Sequence, residues 1–285
     1  MRANKRLGET GVKYFVRYLT FVRISHKMIA GRMMMRETDF VSGFARGLKV
    51  IEAFDETRQR LSIADAARLT GLDRATVRRS LLTLAELGYA DYDGKFFTLT
   101  PKILRLGHAY LSATPLPVLI QPHLDQLSEK AGQSASASVL DGTEIVYIAR
   151  ASQRRVMSIN LTPGSRLPAF CASMGRVLLA ALPESEARAI LVRTELKPNT
   201  PNTKTDVEEL IAEFRRVREQ GYAVIDQELE LGLCSIAVPV ENNRGLTVAA
   251  INIGAPAAHA PAADMPLRYL PLLKETQKAL RLVLP

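Results

Sequence analysis

The chain has 285 residues, of which 47% are hydrophobic and 24% charged, and it carries two cysteines and no tryptophan. That length leaves room for two domains, and the composition excludes a low-complexity chain and a disulfide scaffold. The formal net charge is +9, but residues 1–32 hold eight Lys/Arg against one Glu, so residues 33–285 carry only +2, which excludes a uniformly basic, polyanion-coating surface.

The basic leader, residues 1–39, mixes Arg2, Lys5, Arg6, Lys13, Arg17, Arg23, Lys27 and Arg32 with Tyr14, Phe15, Tyr18 and Phe21. Arg17, Arg23 and Lys27 interrupt what would be the apolar core of a signal peptide. No apolar run is long enough for a membrane span. Met33, Met34 and Met35 follow. The expectation is that translation starts at one of them and that the leader is disordered or absent; the rival is a basic arm gripping DNA or an acidic membrane.

Phe44–Phe54 reads as an amphipathic helix with Leu48, Ile51 and Phe54 on its apolar stripe. Ser62–Leu69 is a second helical run, broken at Gly71, which tolerates the positive φ of a tight turn. Asp73 sits where an N-cap belongs. After it Val77, Leu81, Leu84 and Leu87 form a buried stripe, and Arg74, Thr76, Arg78 and Arg79 are expected opposite. Tyr89–Tyr92 and Lys95–Leu99 flank Asp93-Gly94, a strong hairpin signal. Helix, turn, basic helix and hairpin is the layout of a winged helix-turn-helix, whose second helix enters the DNA major groove. Arginines in the first two turns of that helix reach base edges, and Arg can grip guanine O6 and N7 with two parallel bonds. Lys95 at the wing tip and Ser62 at the motif's first helix are candidates for phosphate contacts. The plainer reading is a packing unit with a solvated arginine face.

Lys102–Ala113 reads as a connecting helix, and Val118–Ala131 starts another after Pro115 and Pro117, with Leu119, Leu124 and Leu127 apolar and expected to meet a partner subunit. From Ser134 the texture changes to strands. They are expected at Ser134–Leu140, Glu144–Arg150, Arg155–Leu161, Tyr222–Ile225, Cys234–Val240 and Thr247–Ile253. Helices are expected over Ser173–Ala181, Glu184–Leu191, Val207–Gln220 and Met265–Leu284. The fold class is α+β, with a mostly antiparallel sensor domain.

Cys171 and Cys234 have no CxxC partner or nearby His pair, so no metal and no cofactor is expected. Neither cysteine is brought by any motif to His26, His108, His123 or His259, and no phosphate loop or nucleophile elbow is present, so no catalytic residues are assigned. An architectural DNA binder without a ligand is the third alternative; a sensor-sized second domain speaks against it.

The helix-turn-helix segment, GSRLPAFCASMGRVLLAAL (Gly164–Leu182), GYAVIDQELELGLCSIAVPV (Gly221–Val240) and AAINIGAP (Ala249–Pro256) together resemble the IclR family of bacterial transcriptional regulators. The segments SMGRVLLA and AAINIG are similar to the subgroup controlling the β-ketoadipate route of aromatic-acid degradation. The resemblance implies a winged helix-turn-helix (40–100), linker helices (101–131) and a GAF-like effector-binding domain (132–285), acting as a dimer or tetramer. It implies an effector site at Ile159, Leu167, Ser173, Met174, Asp226, Ser235, Asn252 and Gly254. The helix opened by Ser173 offers free N–H groups to a carboxylate, Arg176 is a candidate to balance its charge, and an anion facing Asp226 would be repelled unless Asp226 meets a hydroxyl or N–H. The implied partners are double-stranded operator DNA, a small carboxylic acid, a second copy of the chain and RNA polymerase, with no membrane and a cytoplasmic, nucleoid-associated location. The effector is expected to be an aromatic-catabolic acid, or else glyoxylate or another small organic acid.

Overall fold

The computed structural model describes residues 39–284 apart from Glu56, Thr114 and residues 153–160. The leader, Ile159 and nearly all of the strand expected at Arg155–Leu161 lie outside the described residues. The described chain falls into two compact units, one ending at Ser112 and the other starting at Ala113.

The first unit contains α1 (Ser42–Ile51), α2 (Ile63–Thr70), α3 (Arg74–Glu86), β1 (Ala90–Tyr92) and β2 (Phe97–Leu99). Local chemistry sets each boundary. Ser62 and Asp65 form a capping box at the start of α2, and Gly71 ends it at φ 68°, a left-handed conformation that glycine adopts freely. The Asp73 carboxylate accepts the Thr76 N–H at 2.8 Å and opens α3. The Asp93 carboxylate accepts the N–H groups of Lys95 and Phe96, which closes the wing turn. Those bonds hold its pKa down at about 2. Leu61 exchanges two backbone hydrogen bonds with Phe97, adding a third short rung to the wing. The core gathers Val50, Leu61, Ala66, Val77, Leu81, Leu84, Ala90 and Phe97. Val50 is the buried anchor of α1, and Ile51 and Phe54 of the expected stripe pack against the core, whereas Leu48 is 39% exposed.

α4 (Leu104–Ala113) leads to the second unit, which begins with α5 (Pro115–Ala131). Six antiparallel strands form its sheet: β3 (Ser134–Asp141), β4 (Glu144–Ala151), β5 (Arg166–Pro168), β6 (Ala223–Asp226), β7 (Leu233–Glu241) and β8 (Thr247–Pro256), in the order β5-β4-β3-β8-β7-β6. One face is covered by α5 and α9 (Met265–Val283), the other by α6 (Ser173–Ala180), α7 (Glu184–Arg193) and α8 (Val207–Gln220). Leu124 and Leu127 of α5 are buried in this unit's own core and Leu119 packs against it, so the apolar face expected to meet a partner subunit covers the chain's own sheet instead.

A bulge in β4 decides which way Arg150 points. Ala137 pairs with Ala149 but Ser138 pairs with Tyr147, so Ile148 is the extra residue. Ile145 and Tyr147 face the α6 side, Ile148 and Ala149 both face the α5 side, and Arg150 returns to the α6 side. Without the bulge, strict alternation would send Arg150 to the opposite face.

Candidate functional site

In the first unit the candidate surface is the outer face of α3. Arg74, Arg78 and Arg79 are exposed. Arg58, Arg60 and Arg68 are held by Asp55, Asp93 and Asp65, whereas none of the three α3 arginines has an ion pair among the described residues. Three cations on one helix face without local anions suit a polyanion. Ala75 is exposed between them and was not singled out by sequence. Thr76 is a correction: it is only 6% exposed and belongs to the core side. It lies two residues before Arg78, which is about 200° around the helix. Its hydroxyl accepts a long bond from Arg79 Nη2 at 3.4 Å. The Ser62 hydroxyl donates to Asp65 Oδ2 at 2.7 Å and accepts the Asp65 N–H, so its polar capacity serves the cap. Lys95 is exposed at the wing tip, with its Nζ 5.1 Å from the Phe96 ring centre. Arg60, paired with Asp93, lies over the same ring at 4.9 Å.

In the second unit a small cavity opens between the sheet and the start of α6. Its floor follows the strand register. Arg150, Ser136 and Asn252 stand side by side on β4, β3 and β8; Ser134, Gly254, Ser235 and Ile225 form the next row across β3, β8, β7 and β6. Ala172, Ser173 and Met174 line the opposite wall. Tyr147, Leu167, Leu229 and Leu233 complete an apolar rim. α6 has no side-chain cap, and Ser173 instead accepts a hydrogen bond from Ser235 at 2.9 Å. Met174 is fixed by Ser138, whose hydroxyl donates to Sδ at 3.3 Å. Gly175 permits this wall: a Cβ there would lie 2.1 Å from the Ala169 carbonyl oxygen. Gly254 has no such constraint, since a Cβ would meet only Leu233 at 3.8 Å; its bareness leaves room over the sheet.

The electrostatics are asymmetric. Arg150 donates to the hydroxyls of Ser136 (2.9 Å) and Ser152 (3.0 Å), and it has no carboxylate partner among the described residues. Burial pulls its pKa down from the usual guanidinium value, the sign of a cation without a countercharge, yet an arginine remains protonated. Asn252 lines the same floor, and its Oδ1 is buried with no hydrogen-bond partner among the described residues. Burial, reinforced by Glu228, pushes the Cys171 thiol up to about 12, so it lines the site as a neutral wall.

Leu167, Ser173, Met174, Ser235, Asn252 and Gly254 are thus brought together, and Asp226 and Arg176 are not. Asp226 is exposed; adjacent residues of a strand face opposite ways, and Ile225, opposite Ser235, takes the lining position. Asp226 Oδ1 instead accepts from the Cys234 thiol at 3.4 Å. Arg176 is 1% exposed, donates to Glu228 at 2.6 Å and to the Phe170 carbonyl at 3.0 Å, and is committed to the core rather than to an anion. Glu228 also accepts the Lys204 N–H; burial pushes its carboxyl up while Arg176 draws it down. Sequence reasoning missed Arg150, Ser134, Ser136 and Tyr147.

Two family descriptions match the chain: the IclR helix-turn-helix domain over residues 44–94, and the C-terminal domain of IclR bacterial transcriptional regulators over residues 108–281. The chain is 46% identical to the Pca regulon regulatory protein of Pseudomonas putida over 238 residues, covering 83% of this chain and 82% of that one. A solved structure of a transcriptional regulator from Rhodococcus sp. RHA1 is 47% identical, with a TM-score of 0.73 over 86% of this chain and 98% of that one. The inducer-binding domain of the PobR transcription factor from Acinetobacter, solved as a double mutant with 3-hydroxybenzoic acid, is 34% identical, with a TM-score of 0.55 over 58% of this chain and 97% of that one.

Proposed function

The chain belongs to the IclR family of bacterial transcriptional regulators, and we propose that its second unit is the receptor for a small aromatic carboxylic acid that governs how its helix-turn-helix holds operator DNA. The observation that carries this reading is Arg150: a half-buried guanidinium facing a cavity, surrounded by hydroxyls and not matched to a carboxylate among the described residues. A carboxylate at Arg150 gains charge-assisted hydrogen bonds. The ring lies between the sheet and Met174, against Leu167, Leu229 and Leu233, with Asn252 on the floor beside it. The apolar rim favours a ring over glyoxylate, whose two carbons leave that surface wet. The 3-hydroxybenzoic acid held by the PobR inducer-binding domain supports the same class.

Operator recognition rests on Arg74, Arg78 and Arg79 of α3, with Lys95 contacting a phosphate. A dimer sets two α3 helices on the half-sites of a palindrome. The acid shifts the equilibrium between two spacings of the paired heads and so biases the operator, and through it RNA polymerase. Such a protein works in the cytoplasm on the nucleoid. The test is linkage: the melting temperature rises with millimolar 3-hydroxybenzoate, and the same acid alters the retardation of a fragment from the gene's own upstream region. A melting temperature and a gel shift that both ignore a panel of aromatic acids would overturn the reading.

A further inference from the structure

Arg150 is held from behind as well as from the cavity. On its outer edge β4 pairs with β5 over Glu144–Val146 and exchanges backbone bonds with Gly164 and Ser165 at Tyr147. At Arg150 the side chain of Gln121, from α5, reaches the backbone. Gln121 Oε1 accepts the Arg150 N–H at 3.3 Å, and Gln121 Nε2 donates to the Arg150 carbonyl at 3.1 Å. Asp125, one turn on, accepts from the same Nε2 at 2.8 Å and fixes which way the amide points. One turn farther, the buried Ser128 hydroxyl donates to the Gln133 carbonyl at 2.7 Å and reaches the Ala151 carbonyl at 3.5 Å. The edge of β4 at 150 and 151 is therefore fastened to one face of α5. That helix begins at Pro115, two residues after α4 ends at Ala113, so it is the first element of the second unit that the DNA-binding unit's chain enters.

We propose that Gln121 is the positioning residue that ties the Arg150 backbone to α5, so that an anion drawn to the guanidinium moves strand edge and helix together. The proposal rests on the reading of Arg150 as the effector anchor. Its logic is geometric. An amide that brackets both backbone groups of one residue transmits a shift of that residue directly, whereas the apolar contacts of Leu124 and Leu127 on the sheet resist separation but permit sliding. Coupling of this kind needs two arrangements that the ligand distinguishes, and the bulge at Ile148 beside Arg150 is a place where a strand can change its local twist.

The test uses the full chain, 3-hydroxybenzoate as the probe and a fragment of the gene's own upstream DNA. Acid affinity is measured by calorimetry, and operator affinity with and without acid by titration. Gln121→Ala should bind the acid, and the operator without acid, within about threefold of the parent, while the acid's effect on operator affinity shrinks at least about fivefold, the lower end of ordinary allosteric coupling. Gln121→Met keeps the side-chain volume but makes neither bond and should lose the effect as Gln121→Ala does; it decides the matter if Gln121→Ala melts too early to assay. A Gln121→Ala chain that responds as fully as the parent overturns the proposal, as does one whose lost response is matched by an equal loss of acid affinity. A parent that ignores the acid overturns the effector reading and this coupling together; a responsive parent beside an equally responsive variant overturns the coupling alone.

Discussion

The two units treat arginine differently, and the difference separates scaffold from site. On α3 the cations stand in solvent on a helix whose opposite face is apolar, and their exposure follows from sequence spacing alone. In the second unit Arg176 and Arg150 have opposite fates. Arg176 is neutralised by Glu228, with Glu213 at 4.0 Å, and belongs to the core; among the described residues Arg150 has hydroxyl partners and no carboxylate, and it faces the cavity. A charge matched inside the protein holds the fold, and a charge left unmatched beside a cavity is available to a ligand.

The sharpest way to break that contrast is to unmatch Arg176. Glu228→Ala removes the nearer of two carboxylates from a buried guanidinium, leaving Glu213 at 4.0 Å, and should cost about 3 kcal/mol of unfolding free energy, the lower end for a broken buried pair, read from the denaturant midpoint. A loss below about 1 kcal/mol would mean that water reaches Arg176 and that the two arginines do not differ in kind. On the other unit, Arg78→Ala should weaken operator binding by about 1–3 kcal/mol, with relaxed preference at one base pair and unchanged acid affinity. A uniform loss across sequences would place Arg78 on phosphate instead. Ser62→Ala should lower stability by about 1 kcal/mol through the lost cap and leave the salt dependence of DNA binding unchanged. A slope reduced by about one would restore Ser62 as a phosphate contact.

The smallest effect concerns Asp93. Its carboxyl is held at about 2 by the N–H groups of Phe96 and Lys95. A depressed carboxylate contributes stability that is present above its unfolded value and is lost as pH falls through its folded value. The wing turn should therefore stay closed well below pH 3.8, the ordinary aspartate value, and a carbon-13 titration of the Asp93 carboxyl should find its midpoint low. A midpoint at the ordinary value would mean the turn is open in solution.

Legibility followed the range of the interactions. Gly71, Asp73 and Asp93-Gly94 were readable because caps and turns act within a few residues, and the structure places each at the boundary it marks; Ser62, expected inside the helix as a phosphate contact, is its N-cap. The helix over Val207–Gln220 was equally plain, between an Asp206 cap and a left-handed Gly221. Thr76 was grouped with the arginines for its polarity when its angle around the helix opposed them. Arg150 was hidden by a rule that works elsewhere: EIVYIAR alternates, and alternation puts Arg150 with Ile148. Only the pairing with β3 reveals the bulge that reverses it. Asp226 and Ile225 differ by one residue, which on a strand is a whole face. The nearer partner of Arg176, Glu228, is 52 positions away, and no local pattern announces it.

The most direct test of the account is calorimetric titration of the full chain with 3-hydroxybenzoate, in the parent and in Arg150→Met. Binding in the parent that falls about 10–100-fold in the variant, with the melting temperature of the unliganded protein little changed, is the expected result, since a hydrogen bond to a charged group contributes about 1.5–3 kcal/mol. Equal affinity in both proteins would contradict the assignment of Arg150 as the anchor and, with it, the site built around that residue.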